Sequence, residues 1–246
     1  MENIGRGSGM TGRVALVSGG GRGIGRAVAQ ALAGTGARVG ICARTRTELR
    51  ETARAIRQAG GSVLYRVADV TRSRQVQRFV EAVLERWGRV DVLVNAAGIL
   101  GARLPLRAFP EDLWRKVLEV NLTGTFLMSR AVLPVMAQQG SGTIVTITSS
   151  VGREGRATWG AYAVSKFGVE GLTQILAAEE GVRGIRVFAV NPGGTRTRMR
   201  AQAYPEEDPS TLPDPDRVAG AILHLLTRCG MEIHGRSLDA RDFDAG

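Results

Sequence analysis

The chain has 246 residues, 43% apolar and 23% charged, which suits one sizeable globular domain, and no run of about 18 apolar residues of the kind a membrane helix needs. A net charge of +10 invites a polyanion partner, but nearly all of it is Arg scattered along the chain, with Lys116 and Lys166 the only lysines. No dense basic run or aromatic interleaving accompanies it, so nucleic acid is not an expected partner. Cys42 and Cys229 are the only cysteines, which excludes a disulfide framework, and no Cys/His cluster has metal spacing, so no metal is expected. Met1 to Gly12 is Gly-rich and lacks the apolar segment of a secretion signal; a flexible tail over 1–12 and one domain over 13–246, in the cytoplasm, are expected.

Val14 to Val17 is a short apolar run that leads into a glycine cluster, after which Ile24, Val28 and Leu32 repeat at helical spacing up to Gly34 and Gly36. That pattern predicts strand, turn and helix, and it returns. Strands are expected over Arg38–Cys42, Ser62–Val67 and Val90–Asn95, and helices over Arg46–Gln58 and Arg74–Trp87. A long helix from Pro110 carries Leu113, Val117 and Val120 on one face, followed by a Thr143–Ile147 strand. A helix over about Ala161–Glu180, a strand over Ile185–Val190 and a helix near Asp216–Arg228 complete the series. Strands alternating with helical crossovers imply an α/β fold, a doubly wound Rossmann-type parallel sheet with helices on both faces. Pro205, Pro209, Pro213 and Pro215 forbid a continuous helix over 196–215, which is either a mobile cover over a site or a variable surface loop.

In such a sheet, ligands settle beyond the carboxyl ends of the strands. After the first strand the chain reads Ser18-Gly19-Gly20-Gly21-Arg22-Gly23-Ile24-Gly25, a GxxxGxG spacing. Glycine lets the backbone approach a pyrophosphate, and the following helix offers free N–H groups and the positive end of its dipole. A glycine turn alone is weak; its place after the first strand makes it a candidate dinucleotide site, using Gly19, Arg22, Gly23, Ile24 and Gly25. The second strand ends in Cys42-Ala43-Arg44, and no carboxylate appears until Glu48. A carboxylate there would favour NAD, whereas Arg44 and Arg22 suit a 2′-phosphate, so NADP(H) is expected over NAD(H) unless Arg44 is one more surface arginine.

Taken together, Ser18-Gly19-x-x-x-Gly23-x-Gly25, Asn95-Ala96-Ala97-Gly98, Ser149 and Tyr162-x-x-x-Lys166 resemble the short-chain dehydrogenases/reductases, over about Gly12 to Leu238. The resemblance implies a catalytic Ser149, Tyr162, Lys166 and Asn121, with Asn121 holding a water that relays protons to Lys166. It also implies that Asp69 and Val70 contact adenine, that Asn95, Ala96 and Gly98 shape the wall beside the cofactor, and that Lys166 holds the nicotinamide ribose. Pro192 and Gly193 would flank the nicotinamide, with Thr197 near its amide. A homotetramer is implied as well, with contacts around Val117 and Phe167.

The chemistry follows from the residues too. A phenol with a pKa of about 10 needs a neighbouring positive charge to work near neutrality, and Lys166, one helical turn from Tyr162, is placed to supply it. In reduction Tyr162 would give its proton to the carbonyl oxygen while Ser149, thirteen residues upstream, stabilises that oxygen. Thr148 and Ser150 would point away if the segment is extended. Asn121 sits among apolar residues, where a relay role or a bond to a backbone carbonyl would satisfy its amide, and Trp159 and Tyr204 line substrate space or simply pack.

The resemblance is strongest to the 3-oxoacyl-[acyl-carrier-protein] reductase branch. Arg183 matches one basic carrier-docking position there, while Gly140 stands at the other, so acyl-carrier protein is a candidate partner only. Ser18 replaces a more usual Thr, Phe188 a frequent Asn, and Asp239-Ala-Arg-Asp242 a customary glycine pair. The expected activity is an oxidoreductase on a carbonyl or secondary alcohol; the alternative is a non-catalytic NADP-binding sensor or scaffold.

Overall fold

A computed structural model describes residues 9–243. In chain order it contains β1 (Val14–Ser18), α1 (Gly23–Gly34), β2 (Arg38–Ala43), α2 (Arg46–Gln58), β3 (Ser62–Val67), α3 (Ser73–Trp87) and β4 (Val92–Asn95). These are followed by α4 (Glu111–Leu118), α5 (Gly124–Gln139), β5 (Gly142–Ile147), α6 (Gly160–Glu180), β6 (Ile185–Asn191), α7 (Arg198–Ala203), α8 (Pro215–Arg228) and β7 (Ser237–Asp239). The strands form one parallel sheet in the order β3-β2-β1-β4-β5-β6-β7. Strand order reverses between β1 and β4, which opens a crevice at their carboxyl ends.

Both faces of the sheet are dry, which explains why β1 reads as an unbroken apolar run. Along it, Ala15 and Val17 pack with α1, α2 and α8, whereas Val14 and Leu16 pack with α3 and α5. Cys42 lies wholly inside, and burial pushes its thiol up to about 12, so it is an inert core thiol.

The edge of β1 is tied by a buried carboxylate. Asp91 accepts from the Val14 backbone N–H at 2.8 Å and from Arg89 at 2.9 and 2.7 Å. Asp91→Ala leaves that amide without a partner in the sheet and should cost about 3 kcal/mol, read as a lower urea midpoint at unchanged slope. An unaltered midpoint would show that the bond contributes nothing net.

Four details differ from the sequence reading. The long helix from Pro110 is broken by a π-helical turn over Glu119–Thr123, a local widening that sequence periodicity does not register. The stretch 196–215 contains the short helix α7, whose start is capped by Thr197 Oγ1 accepting from Arg200 N, and Arg200 grips Glu207 through two 2.5 Å hydrogen bonds. The short β7 extends the sheet beyond the expected last strand. The expected tail is trimmed at its inner end, because Met10 is buried in the core; residues 1–8 lie outside the described residues.

By length and composition alone Glu111–Gln139 could cross a membrane, yet 50% of its apolar window is buried inside the protein. Val117, Met128, Val132 and Met136 are fully enclosed, so its apolarity is that of a core helix.

Candidate active site

The crevice at the reversal of strand order is a cavity of about 880 Å³. Its floor is the turn after β1, where two glycines are required sterically. Gly19 has φ +70°, and a Cβ on it would lie 2.8 Å from the Ala97 backbone nitrogen; on Gly25 it would lie 2.4 Å from the Gly19 carbonyl oxygen. The turn and β4 therefore approach backbone to backbone, and α1 starts at Gly23 with no side chain capping it. Its free N–H groups face the cavity as an anion seat.

Around this seat the structure gathers Gly19, Arg22, Gly23, Ile24 and Gly25 from the first turn, Arg44 after β2, and Asp69 with Val70 after β3. Ala96 and Gly98 line the wall after β4, and Pro192, Gly193 and Thr197 the wall after β6. Asn95 does not reach the cavity. It is 3% exposed beneath it, with Nδ2 donating to Ser129 Oγ at 3.2 Å and Oδ1 lacking a partner among the described residues.

At the other end of the cavity Ser149, Tyr162 and Lys166 line one wall. Ser149 follows β5 in an extended conformation, while the hydroxyl of its neighbour Thr148 is engaged elsewhere, donating to Glu170 at 2.7 Å. Tyr162 and Lys166 come from consecutive turns of α6, and the Lys166 ammonium sits 5.7 Å from the centre of the phenol ring. Lys166 Nζ also donates to the Ile147 carbonyl at 2.7 Å. Burial pushes the Tyr162 phenol up to about 12, with a hydrogen bond to Ser149 pulling the other way. Burial also pushes the Lys166 ammonium down to about 8, partly opposed by the Glu170 charge.

Asn121 lies below this wall, in the π-helical turn. Its Oδ1 accepts from Ile99 N at 2.8 Å, and its Nδ2 donates to Ile99 O at 2.9 Å and Ser165 Oγ at 3.0 Å. Both amide hydrogens are thus taken, so the side chain satisfies the core alternative and ties the wall at Ile99 to α6. Trp159 lines the cavity and packs against Tyr162 and Tyr204, with ring centres 5.7 and 5.9 Å apart.

Sequence reasoning passed over two residues of the rim. Glu48 Oε1 receives Arg22 at 3.3 Å and Arg198 at 3.2 Å. Glu48 stood too far along α2 to count as a strand-end carboxylate, and Arg198 lay in a stretch whose path across the cleft no local pattern announces.

A short chain dehydrogenase family model matches residues 13–208. The chain belongs to the short-chain dehydrogenase family. The uncharacterized oxidoreductase YciK of Escherichia coli K12 is 38% identical over 93% of this chain and 92% of its own length. The 3-oxoacyl-[acyl-carrier-protein] reductase of Synechocystis is 39% identical over 89% of this chain and 90% of its own. A Shigella flexneri 2a protein described as a short chain dehydrogenase, crystallised with NADP, superposes with a TM-score of 0.90 at 36% identity, covering 95% of this chain and 99% of that one.

Within this short-chain dehydrogenase the departures have structural explanations. Ser18 keeps its hydroxyl bond, accepting from Ala97 N at 3.3 Å, so the two strand ends stay tied without a Thr methyl. Phe188 is fully buried in the core. Where a glycine pair is customary, Asp239 instead binds Arg153 at 3.0 Å and Asn191 at 2.5 Å, and Asn191 in turn accepts from Gly193 N at 3.2 Å. The cavity wall at Gly193 is thereby braced by the last strand. Arg183 is engaged locally, donating to the Glu179 carbonyl at 3.0 Å, and Gly140 is the left-handed cap that ends α5.

Proposed function

We propose that this chain is an NADP(H)-dependent oxidoreductase that interconverts a carbonyl and a secondary alcohol, with Tyr162 as the acid–base group. The observation that carries the reading is the buried pairing of Tyr162 with Lys166 beside Ser149, on one wall of the cavity whose floor is the glycine turn. The floor fits a dinucleotide because the turn that Gly19 and Gly25 allow to pack backbone to backbone leaves the start of α1 uncapped at the cavity, where a pyrophosphate would sit. Arg22 and Arg44 on the same rim, with no carboxylate at the end of β2, suit a 2′-phosphate and support NADP(H) over NAD(H). Asp69 and Val70 would border the adenine, Asn95 would hold the β4 end from beneath, and Ala96, Gly98, Pro192, Gly193 and Thr197 would border the rest of the cofactor.

Bound NADPH supplies the hydride. In reduction the Tyr162 hydroxyl donates its proton to the carbonyl oxygen as negative charge develops there, and Ser149 donates a second hydrogen bond to the same oxygen. Lys166 stabilises the phenolate left behind, which burial would otherwise make costly. Asn121 acts as a positioning residue through Ile99 and Ser165, and a relay water would have to use its remaining acceptor capacity. Among substrates, 3-oxoacyl thioesters come first, by similarity to the Synechocystis reductase, and an acyl-carrier protein would deliver them. The reading is tested by titrating purified protein with NADPH and NADH and following NADPH absorbance with a panel of ketones and 3-oxoacyl thioesters. Binding without turnover on any member would favour a sensor instead.

Self-association as a tetramer is supported by apolar side chains standing in water on the outer faces of α5 and α6: Phe126, Val164, Phe167 and Ile175 are 40–55% exposed, whereas Val117, expected at a contact, is fully buried inside the fold. Phe167→Asp should reduce the mass in solution, measured by light scattering, with the melting temperature little changed. A monomeric parent protein would sink this part of the reading.

A further inference from the structure

Three charged groups meet on the rim of the cavity from separate parts of the chain. Arg22 comes from the turn after β1, Glu48 from the first turn of α2, and Arg198 from the start of α7. One carboxylate oxygen, Glu48 Oε1, takes both guanidinium groups, at 3.3 and 3.2 Å. All three residues line the cavity, as does Arg44. The Glu48 side chain, 20% exposed, is packed over the turn so closely that a Cβ on Gly21 would lie 3.1 Å from its own Cβ. On the other side Thr197, next to Arg198, lies over Gly23, whose Cβ would meet it at 3.5 Å. The Arg198–Glu48 pair is therefore a strap from α7, on the substrate side, to α2, on the adenosine side, and it passes over the phosphate seat.

We propose that Glu48 is an internal competitor for the cofactor's 2′-phosphate and that Arg198, with Arg22, is the cation pair it releases, so that these two residues set the preference between phosphorylated and unphosphorylated dinucleotides. This rests on the reading of the cavity as a dinucleotide site. A 2′-phosphate brought to this rim meets two arginines already satisfied by a carboxylate, and a carboxylate that repels it. Arg22 and Arg198 must exchange Glu48 for the phosphate, which offers three acceptor oxygens in place of one. A dinucleotide with a free 2′-hydroxyl makes no such exchange. It leaves both ion pairs intact, and Glu48 can accept a hydrogen bond from the ribose. Glu48 thus weakens the phosphorylated ligand and favours the unphosphorylated one, while Arg198 does the reverse.

The test is calorimetric binding of adenosine 2′,5′-bisphosphate and of 5′-AMP to the wild type, Glu48→Gln and Arg198→Ala, which needs no turnover. Glu48→Gln should bind the bisphosphate about three- to tenfold more tightly, with 5′-AMP unchanged or weaker, since each exposed pair it unties is a modest one. Arg198→Ala should weaken the bisphosphate about fivefold and leave 5′-AMP alone. Equal bisphosphate affinity in wild type and both variants overturns the proposal, as does a loss in Glu48→Gln. Thermal melts identify a variant that has lost its fold, and the other substitution then decides. A wild type that fails to distinguish the two nucleotides overturns the NADP(H) reading itself, a result separable from any failure confined to the variants.

Discussion

Tyr162→Phe is expected to lower kcat for carbonyl reduction by about 10³-fold or more while leaving NADPH affinity within a factor of about two. The substitution removes one oxygen and keeps the ring that packs against Trp159, so the wall of the cavity survives. What is lost is the proton donor. Ser149 can still hydrogen-bond the carbonyl oxygen, but an aliphatic hydroxyl is a far weaker acid than a phenol and does not replace the lost proton donor. Stopped-flow binding and steady-state turnover on the same preparation separate the two effects. Substantial residual turnover would mean that another group protonates the product, and the role assigned to Tyr162 would fall.

Lys166→Ala should cost a comparable factor, about 10²–10⁴, and should also change the pH dependence. Burial pushes the Lys166 ammonium down to about 8, the Glu170 charge partly resisting, whereas the Tyr162 phenol is pushed up to about 12. Across the neutral range, then, the phenol is protonated and ready to donate, and the titrating group is Lys166. Below about 8 its charge is present and stabilises the forming phenolate. As pH rises through about 8 that charge is lost, so kcat/KM for NADPH in the reductive direction should be level at low pH and fall above about 8. The cofactor's own negative charge favours the ammonium, so the fall in kcat should come at higher pH than the fall in kcat/KM. In Lys166→Ala the residual rate should lack this alkaline limb. A profile that rises through the same window would show that Lys166 acts as a neutral base and would reverse the assignment.

Much of the architecture was legible because it is written in local chemistry. Val14 to Val17 read as a buried strand because both faces of the sheet are covered, and the helix over Arg46–Gln58 and the strand over Ser62–Val67 end where polar and glycine residues end their periodicity. The spacing of Tyr162 and Lys166 needed only the helical repeat to put both on one face. The illegible parts depend on contacts between segments far apart in the chain. A three-residue strand such as β7 has too few residues to show alternation, and it forms because β6 presents an open edge to pair with. Asn121 read equally as a relay or as a core amide until its three partners on Ile99 and Ser165 were seen.

The sequence by itself determined the alternation of strands and helices through most of the chain, the glycine turn, the placing of Tyr162 and Lys166 on one face of a helix, and the basic rather than acidic end of β2, because each depends on residue type at short separation. Only the tertiary structure decided that Asn95 and Asn121 lie beneath the cavity, that Asp239 braces Gly193, and that Arg198 reaches Glu48 across 150 positions of chain. Those facts come from how the loops at the strand ends are folded over one another, and long-range packing of that kind has no period along the chain to read.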